Sequence, residues 1–301
     1  MASTRSGPGM WNAWRAALVM GVVIMTASPS LAQERASLLG DRLNLTVGYS
    51  MWIAKWESPF FDQADAQVVQ DNSEVSVMNG PVATLTYQLR DGDWFNRVFT
   101  TFTWLQTGFD FRESGTLFQL EGSPGALGAT VRDSVATRRD YSIGAGVTIW
   151  KGFGMFASYY DNKQEFTDRF AGLGDASTQF ITKRLRGPVI GAFGAARVAE
   201  RLNLYGNLGF AMLDFDSPGG GGTDAAQGYS TEVGVHIAGP RFWKVSPALQ
   251  LGFRGQIITE NFGPTTSAPI GNVQGFQNAS IPAQQANDIT WGPILSVTAQ
   301  F

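Results

Sequence analysis

The chain of 301 residues contains no cysteine and only one histidine, His236. Without thiols there is no disulfide framework, no thiol nucleophile and no cysteine-held metal. Charged residues are scarce as well, 16% of the chain, where soluble domains carry roughly a quarter. A net charge of -3 gives no basic footprint for a nucleic-acid partner. Beyond residue 27 no apolar run approaches the roughly 20 residues that a membrane-crossing helix needs. No linker or shift in composition divides the sequence, which points to one domain. What the chain has in quantity is glycine, 36 residues, and aromatics, 12%. Rings and glycines with little charge suit a sheet with one face in contact with lipid.

The N-terminus stands apart. Arg5 and Arg15 form a positive stretch, an apolar run from Ala16 to Ala27 follows, and Ser30-Leu31-Ala32 is a small-x-small cleavage site. That layout is a secretory signal peptide over 1–32, which leaves 33–301 as the mature domain. Losing the two arginines takes the net charge from -3 to -5.

The mature sequence alternates with period two. Leu43, Leu45, Val47, Tyr49, Met51 and Ile53 share one face, opposite Asn44, Thr46, Gly48 and Ser50. At the other end Trp291, Pro293, Leu295, Val297, Ala299 and Phe301 are apolar, opposite Gly292, Ser296, Thr298 and Gln300. Such alternation means strands with one apolar and one polar face. The alternating stretches run about ten residues, against five or six in soluble sheets. Aromatics also gather where strands should end: Trp94-Phe95, Trp150 with Phe153, and Phe242-Trp243. Rings at strand ends are the interfacial girdle of a membrane barrel.

Short connections near 91–94, 151–152, 199–201 and 239–244 alternate with long polar stretches near 55–75, 111–137, 161–184, 216–227 and 261–286. Short periplasmic turns and long outer loops are the asymmetry of an outer-membrane barrel. The pattern predicts an all-β, transmembrane, antiparallel up-and-down β-barrel. It has ten strands, near 42–54, 80–90, 95–109, 138–150, 153–162, 186–198, 201–215, 227–238, 245–260 and 287–301. Eight and twelve are the neighbouring counts the pattern also allows. An even count puts both termini in the periplasm. Gly80-Pro81-Val82, Gly187-Pro188-Val189 and Gly292-Pro293-Ile294 recur, each expected to open an inbound strand at the outer rim. Proline lacks the N–H that a ladder needs, so it belongs at a strand's start or at a bulge.

Together with the signal peptide, the Gly-Pro strands and the closing segment 291–301 resemble those of bacterial outer-membrane β-barrel proteins. The stretch 186–215 is loosely similar to the Legionella-type major outer-membrane proteins. The resemblance implies that Phe301, with Val297 and Leu295 before it, forms the C-terminal signal read by the barrel-assembly machinery. It also implies a bacterial outer-membrane location among lipid and lipopolysaccharide.

Candidate functional residues lie on the inward face. Glu232 and Arg254 fall on adjacent strands about one diagonal step apart, within reach of an ion pair. Arg90, Arg197, His236, Gln250 and Gln256 complete the expected lumen lining. These side chains either brace the interior or form a constriction that selects solutes. His236 shares the inward face with Glu232 but sits two residues from a short turn, at the periplasmic end. It reads as a lumen residue, not a catalyst, and no cofactor or metal is expected. Asp91-Gly92-Asp93 reads as a turn. A narrow passive pore for small solutes leads, with a structural or adhesin-like barrel acting through its outer loops beside it. A barrel enzyme is the weakest reading.

Overall fold

The computed structural model describes residues 42–62, 67–119, 127–170, 179–216, 223–262, 265–266, 280–281 and 284–301. The expected signal peptide lies outside them. Ten strands close an antiparallel barrel: β1 (Leu43–Asp62), β3 (Ser76–Gln88), β4 (Trp94–Gln119), β5 (Leu127–Trp150), β6 (Phe153–Phe170), β7 (Gln179–Ala199), β8 (Leu202–Asp216), β9 (Thr223–Ala238), β10 (Ser246–Phe262) and β13 (Gln284–Gln300). The last strand pairs with the first, Thr46 opposite Gln300 and Met51 opposite Leu295, so the barrel sheet is closed. Three short strands are accessory. β2 (Gln67–Asn72) extends the outer end of β1, and β11 (Thr265–Thr266) pairs with β12 (Ser280–Ile281). No helix among the described residues is long and apolar enough to cross a membrane.

The lower part of the barrel follows the alternation of the sequence. Val47, Tyr49 and Ile53 face outward, while Asn44 and Ser50 are buried inside. Trp94, Phe95, Trp150, Phe242 and Trp243 are exposed around the short turns. A second ring of outward aromatics, Trp104, Tyr159, Tyr229 and Trp291, lies further along the strands. On β4 the separation, from Trp94 to Trp104, is ten residues; at about 3.4 Å per residue and a tilt near 40°, that is ~25 Å. This is the height of the apolar band of a membrane barrel.

Above the second ring the pattern inverts. Outward positions become polar: Asp110, Arg139, Asp161, Glu165, Asp214 and Asn287. Inward positions become apolar and buried: Phe109, Phe111, Phe166, Leu185, Phe215 and Ile258. A wall that is polar outside and apolar inside is built for water, not lipid. Two packed clusters fill this outer half. Trp56, Phe109, Phe111 and Phe166 meet on one side, with ring centroids 5.1 to 6.3 Å apart. Leu185, Leu213, Phe215 and Ile258 meet on the other.

Two expectations need correction here. The polar stretches near 55–75, 111–137, 161–184 and 216–227 are in large part strand, because β1 runs to Asp62, β4 to Gln119 and β6 to Phe170. Outward polar residues there, such as Thr137, Glu165 and Thr182, face water from the barrel wall. The Gly-Pro pairs do not open strands either: β3 begins at Ser76, β7 at Gln179 and β13 at Gln284. Each pair interrupts one ladder in mid-strand, between Asn79 and Val82, Arg186 and Val189, and Lys55 and Trp52 opposite Gly292-Pro293. Glycine is required because the neighbouring strand comes close. A Cβ at Gly80, Gly187 or Gly292 would stand 2.0, 2.2 or 1.9 Å from a carbonyl oxygen.

Candidate functional site

Ten strands spaced about 4.8 Å apart and tilted near 40° enclose a backbone cylinder roughly 20 Å across. Only long side chains meet across such a lumen. Two layers of them do.

The layer nearer the short turns is built on Glu232 (β9) and Arg254 (β10), which are direct cross-strand partners, not diagonal ones. Arg254 Nε donates to Glu232 Oε2 at 2.7 Å. Tyr205 Oη donates to Glu232 Oε1 at 2.9 Å, and Gln250 Nε2 approaches the same oxygen at 3.5 Å. The Arg254 guanidinium lies 5.4 Å from the Trp52 ring centroid, so both its charge and its flat face are engaged. The remaining sequence candidates divide. His236 is half-buried opposite Gln250 and Asn203, with Asn203 Nδ2 3.4 Å from its Nδ1. Arg90 is exposed beyond β3 and donates to the Trp94 carbonyl at 2.6 Å. Arg197 donates to the carbonyls of Ala199 and Glu200 at 3.2 and 3.0 Å. Both arginines therefore cap turns, where free carbonyls outnumber donors, and do not brace the lumen.

Gln256 belongs to the second layer, in the outer half. Its centre is Asp288 on β13, fully buried. Asp288 accepts from Trp56 Nε1 (β1) at 3.0 Å, Gln164 Nε2 (β6) at 3.0 Å, Lys183 Nζ (β7) at 3.3 Å and Arg138 Nη1 (β5) at 3.5 Å. Arg138 also pairs with Asp140 at 3.0 Å, donates to Gln256 Oε1 at 2.8 Å, contacts Thr290 and stacks 5.1 Å from the Trp56 centroid. Lys183 stands 2.6 Å from Glu260 on β10. Asn162 bonds Asp140 and accepts from Gln164. In the circular strand order β6 lies opposite β13. The Gln164–Asp288 bond therefore spans the diameter, and the network ties opposite walls together.

Below this layer the lumen is less filled. A cavity of about 420 Å³ lies between the layers, lined by Trp52, Phe99, Phe156 and Phe193 with Ser142, Ser158 and Arg254. Inward residues of the lower half, such as Thr46, Phe193 and Thr298, are only partly buried. The interior is therefore a cup: solid at the outer end, hollow toward the short turns.

Apart from Gln256, sequence reasoning missed the outer layer. Lys183 and Gln164 fall in stretches expected to be loops. Arg138 with Asp140, and Asp288 with Thr290, were legible as polar residues spaced two apart on an inward face. Among the described residues no cluster of three or more His, Asp or Glu side chains could hold a metal.

No family model and no curated protein matches the chain, so the likeness to Legionella-type proteins is not shown. Among solved structures the outer-membrane protease OmpT of Escherichia coli is 11% identical, covering 87% of this chain and 96% of that one, with a TM-score of 0.47. A Pseudomonas aeruginosa FadL homologue is 9% identical over 92% and 96%, with a TM-score of 0.30. The Pseudomonas putida toluene transporter TodX is 11% identical over 91% and 96%, with a TM-score of 0.25. All three are barrels, and likeness at this level carries neither protease activity nor transport to this chain.

Proposed function

We propose that this chain is an integral protein of the bacterial outer membrane whose barrel is closed to solutes and acts at the cell surface through its outer rim. The observation that supports this reading is the cross-lumen network around Asp288. Arg138, Gln164, Glu260 and Asp288 are fully buried, Lys183 is nearly so, and they bridge opposite walls within a packed apolar core. A hydrated pore does not need a buried core in its outer half. A protein that lifts its rim above the lipid does, because its extended strands must be stable in water.

Planar-bilayer recording tests the reading. Purified protein is expected to give no stepwise conductance, and regular porin-sized steps from the wild type would refute it. A second reading, a narrow solute pore, draws support from the 420 Å³ cavity and the half-hollow lower lumen. It requires the outer layer to move. Liposome swelling with small sugars would then be detectable in the wild type and strongly enhanced by Asp288→Ala.

A further inference from the structure

Among the described residues, the outer layer is one positive charge short. Arg138 and Lys183 supply two cations, and Asp140, Asp288 and Glu260 supply three carboxylates, all buried. The Glu232–Arg254 pair below is balanced within itself. Tyr160, facing the layer from β6, is neutral and bonds Arg138 and Gln256. An uncompensated buried charge is costly, so a deficit in a packed core calls for an occupant.

A second observation places the deficit. Gln164 Nε2 donates to both Asn162 Oδ1 and Asp288 Oδ2, which fixes the orientation of its amide. That leaves Gln164 Oε1 buried with no donor. The Ser58 hydroxyl is buried without a partner as well. Neither Glu260 oxygen receives a well-directed hydrogen bond, although Lys183 Nζ is 2.6 Å from Oε1. Lys183 Nζ bridges Glu260 Oε1 at 2.6 Å and Asp288 Oδ2 at 3.3 Å, and Gln164 Nε2 reaches the same Asp288 oxygen at 3.0 Å, so Glu260 and Gln164, the residues with unpartnered oxygens, are linked through Lys183 and Asp288.

We propose that the surroundings of Glu260 in this layer are a site for one exchangeable positive charge, filled either by a proton on Glu260 or by a small monovalent cation such as sodium or potassium. The bound charge brings the network to neutrality and locks the outer core. The site does not depend on whether the barrel conducts. A divalent ion is disfavoured, because Lys183 already occupies one side.

The test is the unfolding equilibrium of the refolded full chain in lipid vesicles. It is measured from pH 5 to 9 in sodium, potassium or choline chloride at equal ionic strength, beside Glu260→Gln. An unfolded glutamate ionises near pH 4.3, so a folded state that keeps the proton releases it on unfolding. For the proton, stability relative to Glu260→Gln is greatest below about pH 4. It falls tenfold in the equilibrium constant per pH unit above about pH 5, until the folded site itself ionises. For the metal cation, the wild type is instead more stable in sodium or potassium than in choline, and Glu260→Gln loses that difference. Either pattern supports the site and identifies its occupant. Wild type insensitive to both variables overturns it, as does a sensitivity that Glu260→Gln retains. Should Glu260→Gln fail to fold, Asp288→Asn serves, since it removes the deficit from the other side and must also abolish the dependence.

Discussion

The inversion of the barrel wall on a single strand allows a sharp test. Val147 and Val135 are both on β5 and both face outward, twelve residues apart. Val147 lies within the apolar band, opposite Val98 and Met155 on its neighbours. Val135 lies above the second aromatic ring, 51% exposed, on the same face as Thr137 and Arg139. At about 3.4 Å per residue and a tilt near 40°, the two side chains are ~30 Å apart along the barrel axis. Arginine at the bilayer midplane of a barrel costs about 2–4 kcal/mol, falling to about 0–1 near the interfaces. Val147 is three residues from Trp150, roughly 8 Å inside the lower ring, so Val147→Arg should cost about 2 kcal/mol. Val135→Arg replaces an exposed side chain on a surface already polar, and should cost less than about 0.5 kcal/mol. Guanidinium titration of protein refolded in vesicles measures both, provided the slope m stays constant. Equal costs at the two sites would mean that the whole strand face meets lipid, and the water-facing extension would be refuted.

Further outcomes follow from the same geometry. Leu295→Arg or Val47→Arg, on the outward face of the band, should cost about 2–4 kcal/mol near the midplane; the inward Thr46→Arg and Thr298→Arg should cost clearly less, as read by the same titration. Asp288→Ala removes the acceptor shared by Trp56, Arg138, Gln164 and Lys183; breaking a buried ion-pair network in this way costs about 3–5 kcal/mol, visible as a fall in the unfolding midpoint. Arg254→Ala leaves Glu232 buried without its ion partner, yet should open no conducting path on its own, because the outer layer stays in place; single-channel recording decides. Deleting Phe301 removes the backbone pair that Phe301 makes with Leu45, 2.8 Å from its N–H to the carbonyl, as well as the proposed assembly signal. Unfolded precursor should then accumulate in the periplasm, detected by loss of heat-modifiable mobility.

The strand count, the closed barrel and the girdle were legible because each rests on a local rule. Period-two alternation assigns faces, and rings beside Asp91-Gly92-Asp93 and Lys151-Gly152 mark where strands end. Even β4, where Phe99 and Leu105 compete with Phe102 and Trp104 for one face in the sequence pattern, resolves by parity. Its odd residues go in and its even residues out, with Phe102 packing on Tyr141 across the strand pair. What was lost is the outer half. There the same period of two persists with its meaning reversed, so Asp161, Lys163 and Glu165 read as loop residues when they are the outward positions of a strand. The decisive signal was available one residue over. Phe109 and Phe111 flank Asp110, Leu185 and Phe215 each lie between charged neighbours, and apolar residues at every second position do not belong in a solvated loop.

The network around Asp288 was hidden for a different reason: its members are distant in sequence, and only closure of the barrel brings them together. Glu232 and Arg254 are separated by a single turn, so their register could be counted from the sequence to within one step. Gln164 and Asp288 are 124 positions apart, on strands that meet only across the lumen. No local pattern encodes such a contact. What the sequence does carry is the requirement for it. Arg138, Asp140, Lys183, Glu260 and Asp288 all fall on inward positions of the outer half, beside buried apolar residues such as Ala136, Leu185 and Ile258. A charge on an apolar face must find a counter-charge or leave the core, and a barrel about 20 Å across lets long side chains find one on the opposite wall. The same constraint joins packing to function. A lumen crossed by paired charges cannot conduct until those pairs separate, so any pore activity must appear together with a loss of stability in the outer half.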